Sequence, residues 1–323
     1  MISSEAVPFA KSGGLGDAVS ALAVALFRLG HDVRVLIPRY GFIEKAKLTP
    51  LAEPLKVTLG GAEIEAGVLT AALPSSGVPV YFLDFEAYFA RPGVYGPSSQ
   101  REYPDNPERF AFLSRAAFSL CRALSWTPDI MHAHDWPSSL VPAYLATVEK
   151  DRGFAHTASV LSIHNLGYQG VFSKEHFPFF GLDWMLFHGA GFEFHDDINL
   201  LKAGITTADC LTTVSPTYSR EIQTPAYGFG LDGLLRHRSR DLVGILNGVD
   251  KDVWNPETDP CLPARYSVSD MSGKAECKRA LQEKFGLPVD DAAPVIGLVA
   301  RLTEQKGIGE MFGPGYGAVQ QVL

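Results

Sequence analysis

The stretch Lys11-Ser12-Gly13-Gly14-Leu15-Gly16-Asp17 decides the fold of this chain. It follows a short extended lead, residues 1–7, and opens into a segment whose apolar residues recur at helical spacing. The next segment, Asp32–Pro38, is predicted to be a buried parallel strand, so the glycines lie where a strand turns into a helix. Glycine allows close backbone approach or a positive φ, and a helix N-terminus offers unpaired N–H groups to an anion. The loop is therefore predicted to hold a phosphate or a polar sugar, with Lys11 as a mobile cation.

Two alternatives compete for this loop. A dinucleotide-binding fingerprint that starts at Gly14 would have Gly16 in its second slot but Val19 in its third, which breaks the spacing rule. Asp17 would also repel a pyrophosphate bound at the helix N-terminus. A glycine turn that serves packing alone is the second alternative for the loop taken by itself.

Composition indicates an ordinary globular chain. Its 323 residues are 46% hydrophobic and 20% charged, and this length is sufficient for two domains. The net charge of −8 disfavours general binding to nucleic acid or anionic membranes. The four cysteines are widely separated and are predicted to be reduced thiols. Neither a membrane-spanning run nor a signal peptide is recognisable, so we expect a cytoplasmic protein.

Polar residues follow several predicted strands at the point where each strand ends. The four units are Pro128–Ala133 before His134-Asp135-Trp136, Ala158–Ile163 before His164-Asn165, Leu211–Val214 before Ser215-Pro216, and Leu242–Leu246 before Asn247-Gly248. Ligands of open α/β sheets bind beyond the carboxyl ends of the strands, so these residues are predicted to share one crevice. The predicted fold class is α/β, with a right-handed doubly wound parallel sheet.

The segments between these units are less regular. Residues 44–73 predict a hairpin-like insertion, Val78–Asp84 another strand, and residues 91–107 a long loop. Asn106 is predicted to cap the helix that begins at Pro107.

The last part of the chain predicts a linker and the start of a second domain. Residues 249–292 are rich in proline and polar residues, with one predicted helix at Lys274–Phe285. Pro294–Ala300 is predicted to be the first strand of the second domain. Few residues follow it, and the first strand of the sheet has few residues before its loop, so we expect the sequence to be truncated at both ends.

These segments resemble the bacterial glycogen synthases and plant starch synthases. The matching blocks run in order from residue 3 to residue 307 and are SSEAVPFAKSGGLGD, YPDNPERFAFLSRAA, HAHDW, SIHNLGYQG, INLLKAGI, TTVSPTYSREI, YGFGLDGLL, GILNGVD and ARLTEQKG. The resemblance implies a GT-B glycosyltransferase with two Rossmann-like domains, which moves glucose from ADP-glucose to an α-1,4-glucan with retention. It implies an acceptor-side domain at residues 1–246, a linker at 247–292 and the start of the nucleotide-binding domain at 293–323.

The resemblance also implies roles for individual residues. Catalytic positions are His164, Asp17 and Asp135, and His134 is expected to line the sugar-facing side together with Asp17 and Asp135. The substrate-binding positions are Lys11, Gly13, Gly14, Asn165, Asn247, Arg301 and Lys306, of which the last two would bind the ADP diphosphate. Candidates for stacking on the glucan are Tyr95, Trp136 and Tyr168. The implied partners are ADP-glucose and glycogen or maltooligosaccharide, and neither a metal nor another cofactor is expected.

Several other interpretations stay open at this point. His132, His134 and Asp135 could form a metal site, and His164 could be a core histidine. Asp196 and Asp197 could be a glycosidase pair, although adjacent carboxylates usually point apart. The chain could act only as a glucan-binding module, or could belong to a transferase that uses UDP-glucose. Since the residues of a second domain are mostly missing, we expect little transferase activity from these 323 residues alone.

Overall fold

The computed structural model describes residues 1–98, 101–300 and 304–322. It divides into two units, Met1–Val249 and Asp250–Leu323. The strands, all in the first unit, are β1 (Val35–Pro38), β2 (Thr49–Pro50), β3 (Leu55–Leu59), β4 (Ala62–Ala72), β5 (Pro79–Asp84), β6 (Ile130–His134), β7 (Ala158–Ile163), β8 (Val171–Ser173), β9 (Glu193–Phe194), β10 (Asp197–Asn199), β11 (Cys210–Thr213) and β12 (Leu242–Gly244).

Helices surround these strands. The α-helices of the first unit are α1 (Leu15–Arg28), α2 (Glu86–Phe89), α3 (Asn106–Ala123), α4 (Leu140–Tyr144), α5 (Leu200–Thr207), α6 (Pro216–Glu221) and α7 (Asp232–His237). Those of the second unit are α8 (Ser272–Lys284), α9 (Ile308–Phe312) and α10 (Ala318–Val322). Short 3₁₀ segments lie at Lys45–Lys47, Trp136–Ser138, Lys150–Arg152, Lys174–Phe180, Trp184–Leu186 and Glu304–Lys306, and a π-helical turn at Leu145–Glu149.

The N-terminal residues lie at the centre of the main sheet. Ile2 forms parallel bridges to Leu36 of β1 on one side and to Ala133 of β6 on the other. The Ile2 amide donates to the His132 carbonyl at 2.8 Å, and the Leu36 amide donates to the Met1 carbonyl at 2.9 Å. These bonds join the parallel pair β1–β5 to the parallel series β6, β7, β11 and β12. The predicted parallel sheet is confirmed.

The chain fills this sheet outward in both directions from Ile2. It first builds β1 and β5 on one side, then returns to build β6, β7, β11 and β12 on the other. The strand order therefore reverses at Ile2, and the carboxyl side of such a switch point is where open α/β sheets form a ligand crevice. The loop Lys11–Asp17 follows directly from this central segment.

The predicted hairpin-like insertion is confirmed, and it gives the sheet an antiparallel edge. β3 and β4 pair antiparallel, β4 continues antiparallel beside β5, and β2 pairs antiparallel with β4. The burial pattern of β3 alternates strictly between buried and exposed residues, as expected for a strand with one face in the core.

Two helices cover the sheet near the glycine-rich loop. α1 buries Val19 and Ala23 completely, at the i, i+4 spacing that the sequence predicted. α3 buries most of its length, including Phe110 and Leu113. The described part of residues 91–107 preceding α3 is an irregular loop, as predicted.

Two local predictions are wrong. Asn106 is the first residue within α3 instead of its cap, and its side chain donates to the Tyr95 carbonyl at 2.9 Å. Pro294–Ala300 forms no strand, and Val299 is fully exposed. A strand needs a neighbour for its backbone hydrogen bonds, and the described part of the second unit contains no strand that could pair with it.

The second unit confirms one predicted element. The helix expected at Lys274–Phe285 is observed as α8, within two residues at each end. The division of the chain at residues 246 and 292 stays a prediction. No helix among the described residues combines the length and the apolar character that crossing a bilayer requires.

Candidate functional site

The carboxylate of Glu5 holds the glycine-rich loop in place. Its Oε2 accepts the backbone N–H groups of Ser12 at 2.6 Å and Gly13 at 3.2 Å. Its Oε1 accepts the Ser12 hydroxyl and the Tyr95 hydroxyl, each at 2.7 Å. Glu5 is only 2% exposed, so these four bonds replace the water that a buried carboxylate would otherwise lack. The conformation of the loop therefore depends on the oxygens of one buried side chain.

Tyr95 connects this carboxylate to the rest of the fold. Its hydroxyl lies 2.8 Å from Ser4 Oγ, and its carbonyl accepts the Asn106 side chain of α3. Burial, with the nearby Glu5 charge as the next cause, holds the pKa of Tyr95 well above its usual range. The tyrosine is therefore a neutral hydrogen-bond donor to Glu5. Its predicted role in stacking on a glucan stays a prediction.

The glycines of the loop differ in how much space surrounds them. A Cβ built on Gly13 or Gly14 would meet no atom within 4 Å, and Gly14 has an ordinary right-handed φ of −77°. A Cβ on Gly16 would lie 3.0 Å from the Ala10 carbonyl oxygen, so that position must be small for α1 to pack. Neither internal packing nor backbone strain explains glycine at positions 13 and 14. Their open surface leaves room for a ligand to approach the backbone.

Lys11 and Asp17 lie on the exposed side of this loop. The Lys11 ammonium lies 2.8 Å from a carboxylate oxygen of Asp17, with both side chains near half exposed. Exposed pairs of this kind contribute only about 0–1 kcal/mol, so an arriving anion can displace Asp17 from Lys11 at small cost.

The ends of β6 and β7 are joined by Asp135. Its Oδ1 accepts the backbone N–H groups of His164 at 2.7 Å and of Asn165 at 3.3 Å. Asp135 has a φ of 56°, unusual for a residue with a side chain and costing about 1–3 kcal/mol. Burial raises the pKa of Asp135 to about 7, against the two backbone hydrogen bonds that lower it. The charge of Glu5 is the smallest of these causes and acts in the same direction as burial.

Three histidines pack side by side behind Asp135. His132 stacks on His134 with ring centroids 4.1 Å apart, and His134 Nδ1 lies 3.1 Å from His164 Nε2. His132 Nε2 lies 2.7 Å from Ser162 Oγ. Burial lowers the pKa of His132 to about 3 and of His164 to about 4, and holds that of His134 well below its usual range. All three rings are therefore neutral at physiological pH.

The raised pKa of Asp135 makes a prediction about stability. An acid whose pKa is higher in the folded state destabilises the fold as pH rises from its unfolded pKa, near 4, to its folded pKa, about 7. Asparagine can accept the same two backbone N–H groups and does not ionise. Relative to the unmodified chain, Asp135→Asn is thus expected to gain about 2–3 kcal/mol of unfolding free energy between pH 5 and pH 8.

Urea unfolding of both proteins at the two pH values measures this gain. The histidines affect both proteins equally, so their contribution cancels in the difference. A difference that stays the same at pH 5 and pH 8 would show that Asp135 titrates normally. Asp129→Asn, the same substitution at an exposed position, is the matched control.

The structure gives the remaining aromatic candidates different environments. Trp136 is 6% exposed and packs edge-on against Phe110 at 4.9 Å, with Tyr95 and Phe172 at 6.0 and 5.6 Å. Its ring therefore has a packing role in this structure. Tyr168 is 41% exposed.

Of the other predicted positions, two are exposed and one lies outside the described residues. Asn247 is exposed just beyond β12, where the Ile245 amide still donates to the Thr213 carbonyl at the end of β11. Lys306 is exposed in the second unit. Arg301 lies outside the described residues.

The structure also bears on the alternative metal site and the alternative glycosidase pair that the sequence left open. Among the described residues, no three His, Cys, Asp or Glu side chains are arranged to hold a metal ion. Asp196 is engaged by the Lys174 ammonium at 2.6 Å on the surface. Each of the four cysteines is a free thiol.

Sequence reasoning missed Glu5, although a signal was available. Glu5 is the only acidic residue in the lead before the loop, where its neighbours are apolar or small. An ionisable residue in a segment expected to be buried needs partners, and here the partners are the loop and Tyr95.

Comparison with known proteins identifies the family. The family model described as the starch synthase catalytic domain matches residues 1–237. This chain belongs to that family. The solved catalytic domain of starch synthase IV from Arabidopsis thaliana, bound to ADP and acarbose, superimposes with a TM-score of 0.87 at 33% sequence identity. The match covers 95% of this chain and 63% of that one, and confirms the predicted GT-B relationship.

Bacterial relatives are more similar in sequence. The glycogen synthase of Treponema denticola is 50% identical over 322 residues, and that of Anaeromyxobacter sp. strain Fw109-5 is 48% identical over 309 residues. The matches cover 100% and 95% of this chain, which spans 66% and 64% of the length of these relatives.

Proposed function

We propose that this chain supplies the acceptor-side domain of a glycogen synthase, including its glycine-rich loop. The enzyme transfers glucose from ADP-glucose to the non-reducing end of an α-1,4-glucan with retention of configuration. The partners are the nucleotide sugar and glycogen or a maltooligosaccharide. The similarity to starch and glycogen synthases supports the reaction class. The geometry of the glycine-rich loop supports this loop as the place where the sugar phosphate binds.

The observation that carries this proposal is the open backbone at Gly13 and Gly14. The two glycines are in the loop that follows the central segment of the sheet and contains Lys11, and Asp135 and His164 directly follow β6 and β7 of the same sheet. A sugar phosphate suits these groups because Lys11 supplies a cation for the phosphate and His164 supplies a neutral polar ring for the sugar. A loop that served packing alone would have neighbours in contact with its glycines, as Gly16 has.

The chemistry of transfer suits these groups. Breaking the bond between glucose and phosphate develops negative charge on the departing ADP and positive character on the sugar. Cations aimed at the diphosphate stabilise that transition state, and Lys11 is the candidate in the first unit. By resemblance to the family, Arg301 and Lys306 stay predicted ligands of the diphosphate. With cations in place, the reaction requires neither a metal nor another cofactor. The leaving phosphate assists the incoming hydroxyl on the same face of the sugar.

Substitution of Gly14 tests the proposal. In the protein that carries this chain, Gly14→Ala is expected to lower glucose transfer from ADP-glucose to glycogen by up to about 10²-fold, because a methyl group displaces the sugar phosphate. The free energy of unfolding should change by less than about 0.5 kcal/mol, since the new Cβ meets no atom within 4 Å. Incorporation of labelled glucose and urea unfolding measure the two effects.

The matched control is Gly189→Ala, an exposed glycine whose Cβ would have only an ordinary contact at 3.7 Å. Equal activity in Gly14→Ala and Gly189→Ala would contradict a ligand at the loop. Competition between ADP-glucose and UDP-glucose in the same assay identifies the donor. Titration of this chain with maltooligosaccharide tests the alternative of a glucan-binding module, which predicts binding without transfer.

A further inference from the structure

The rings of His134 and His164 share one hydrogen bond, and its direction determines which nitrogen of each ring carries a proton. His134 Nδ1 and His164 Nε2 are 3.1 Å apart, so one nitrogen carries the proton and the other accepts it. The other ring nitrogen of His134, Nε2, is buried and has no hydrogen-bond partner among the described residues. His134 itself is 1% exposed. The environment of this buried nitrogen decides which direction is favoured.

Two arrangements of the neutral pair must be compared. If His134 holds its proton on Nε2, a buried N–H group has no acceptor, and the cost is about 1–3 kcal/mol. If His134 holds its proton on Nδ1, that N–H donates to His164, and only a lone pair is left without a partner. Orphaned buried N–H groups are rarer in proteins than under-used acceptors. The second arrangement is therefore favoured.

We infer that His134 is a positioning residue that fixes His164 in the neutral tautomer with its proton on Nδ1. Because His164 Nε2 accepts from His134, the single proton of the His164 ring must be on the opposite nitrogen. The backbone of His164 is held as well, since its N–H donates to Asp135. Ring and backbone are thus fixed by two adjacent residues at the end of β6.

Protonation of either His134 or His164 would be unfavourable in this arrangement. An imidazolium on His164 would point an N–H at the N–H of His134, and an imidazolium on His134 would bury a second N–H without an acceptor. His132, stacked on His134, has its own Nε2 engaged with Ser162. The lowered pKa of His164, about 4, agrees with a ring that stays neutral.

The consequence for chemistry rests on the proposed function. A His164 ring of this kind is a fixed donor at Nδ1 and is neither a general acid nor a general base at Nε2. It suits the recognition of an oxygen atom, such as a sugar hydroxyl, by a neutral N–H. His134 acts on that recognition without touching the sugar.

Nitrogen NMR measures the tautomer directly. The 323-residue chain is labelled with ¹⁵N-histidine, and two-bond proton–nitrogen correlations distinguish a protonated ring nitrogen from a bare one. The signals of His134 and His164 are assigned among the nine histidines by substitution of each in turn. At pH 7 the expected pattern for His164 is a protonated Nδ1 and a bare Nε2. A protonated Nε2 on His164 in the unmodified chain would overturn the inference.

Three variants separate positioning from packing. His134→Leu removes the donor, and His164 should move toward the Nε2–H form that a free imidazole favours. His134→Asn places an amide N–H near the position of Nδ1 and should restore the Nδ1–H form. His132→Phe keeps the stacked ring and should leave His164 unchanged. An unchanged tautomer in His134→Leu would also overturn the inference, and if that variant does not fold, the unmodified chain and His134→Asn still decide.

The measurement uses no substrate. A wrong tautomer would leave the proposed function standing, whereas a protein without transferase activity would leave the tautomer result intact.

Discussion

Replacing Arg109 with methionine is expected to lower the free energy of unfolding of the first unit by about 3–5 kcal/mol. The guanidinium is 0% exposed and donates to the carbonyls of Tyr88 at 2.7 Å and Val94 at 3.1 Å, and to Asn106 Oδ1 at 2.5 Å. Methionine fills much of the volume but takes the donor away from three acceptors in the interior or at its edge, and each buried acceptor left without a donor costs about 1–3 kcal/mol. Urea unfolding followed by tryptophan fluorescence measures the loss.

Arg109→Met should also destabilise the loop before α3. Arg109 holds Asn106, and the Asn106 side chain holds the carbonyl of Tyr95, whose hydroxyl reaches Glu5. The matched control is Arg220→Met at an exposed position, which should change stability by less than about 0.5 kcal/mol. A loss below about 1 kcal/mol for Arg109→Met would contradict the view that these bonds anchor the loop.

Removing the Glu5 side chain with Glu5→Ala is expected to increase hydrogen exchange of the Ser12 and Gly13 amides by about 10- to 100-fold. Each amide now donates to a buried carboxylate, and a bond to a charged group is worth about 1.5–3 kcal/mol. Alanine offers no acceptor, so the loop opens to water more often. Exchange followed by NMR or mass spectrometry measures the change.

Glu5→Gln is the matched control for this experiment. Its Oε1 can accept both backbone N–H groups, and its amide can donate to the Ser12 and Tyr95 hydroxyl oxygens once those hydroxyls turn. We therefore expect exchange close to that of the unmodified chain. If glutamine opened the loop as much as alanine does, the charge itself would be what holds it. Unchanged protection of the Ser12 and Gly13 amides in Glu5→Ala would show that Glu5 does not hold the loop.

Local pattern was sufficient for most elements of the first unit. The strand at Ala158–Ile163 was predicted residue for residue, because a short apolar run bounded by polar residues has few other structures available. α1 followed from the spacing of Val19 and Ala23. The cap at Asn106 could not be predicted correctly, because a tertiary partner, the Tyr95 carbonyl, engages that side chain.

The residues of the candidate site also fall into two groups, those that the sequence predicted and those that only the structure showed. The sequence placed His164, Asp135 and the glycines at the ends of strands, where side chains converge in any doubly wound sheet. It did not single out Glu5 or Arg109, because each acts through partners distant in the sequence. The bond from Tyr95 to Glu5, for example, joins residues 90 positions apart.

By itself, the sequence determined the parallel strands of the sheet, the glycine-rich turn and the family, since these depend on local spacing and on motifs read along the chain. Only the tertiary structure decided that Ile2 lies at the centre of the sheet, that Glu5 holds the loop, and that Trp136 is buried. The reason is physical. Burial, the state of an ionisable group and the direction of a hydrogen bond are set by atoms that folding brings together, and no local pattern contains them.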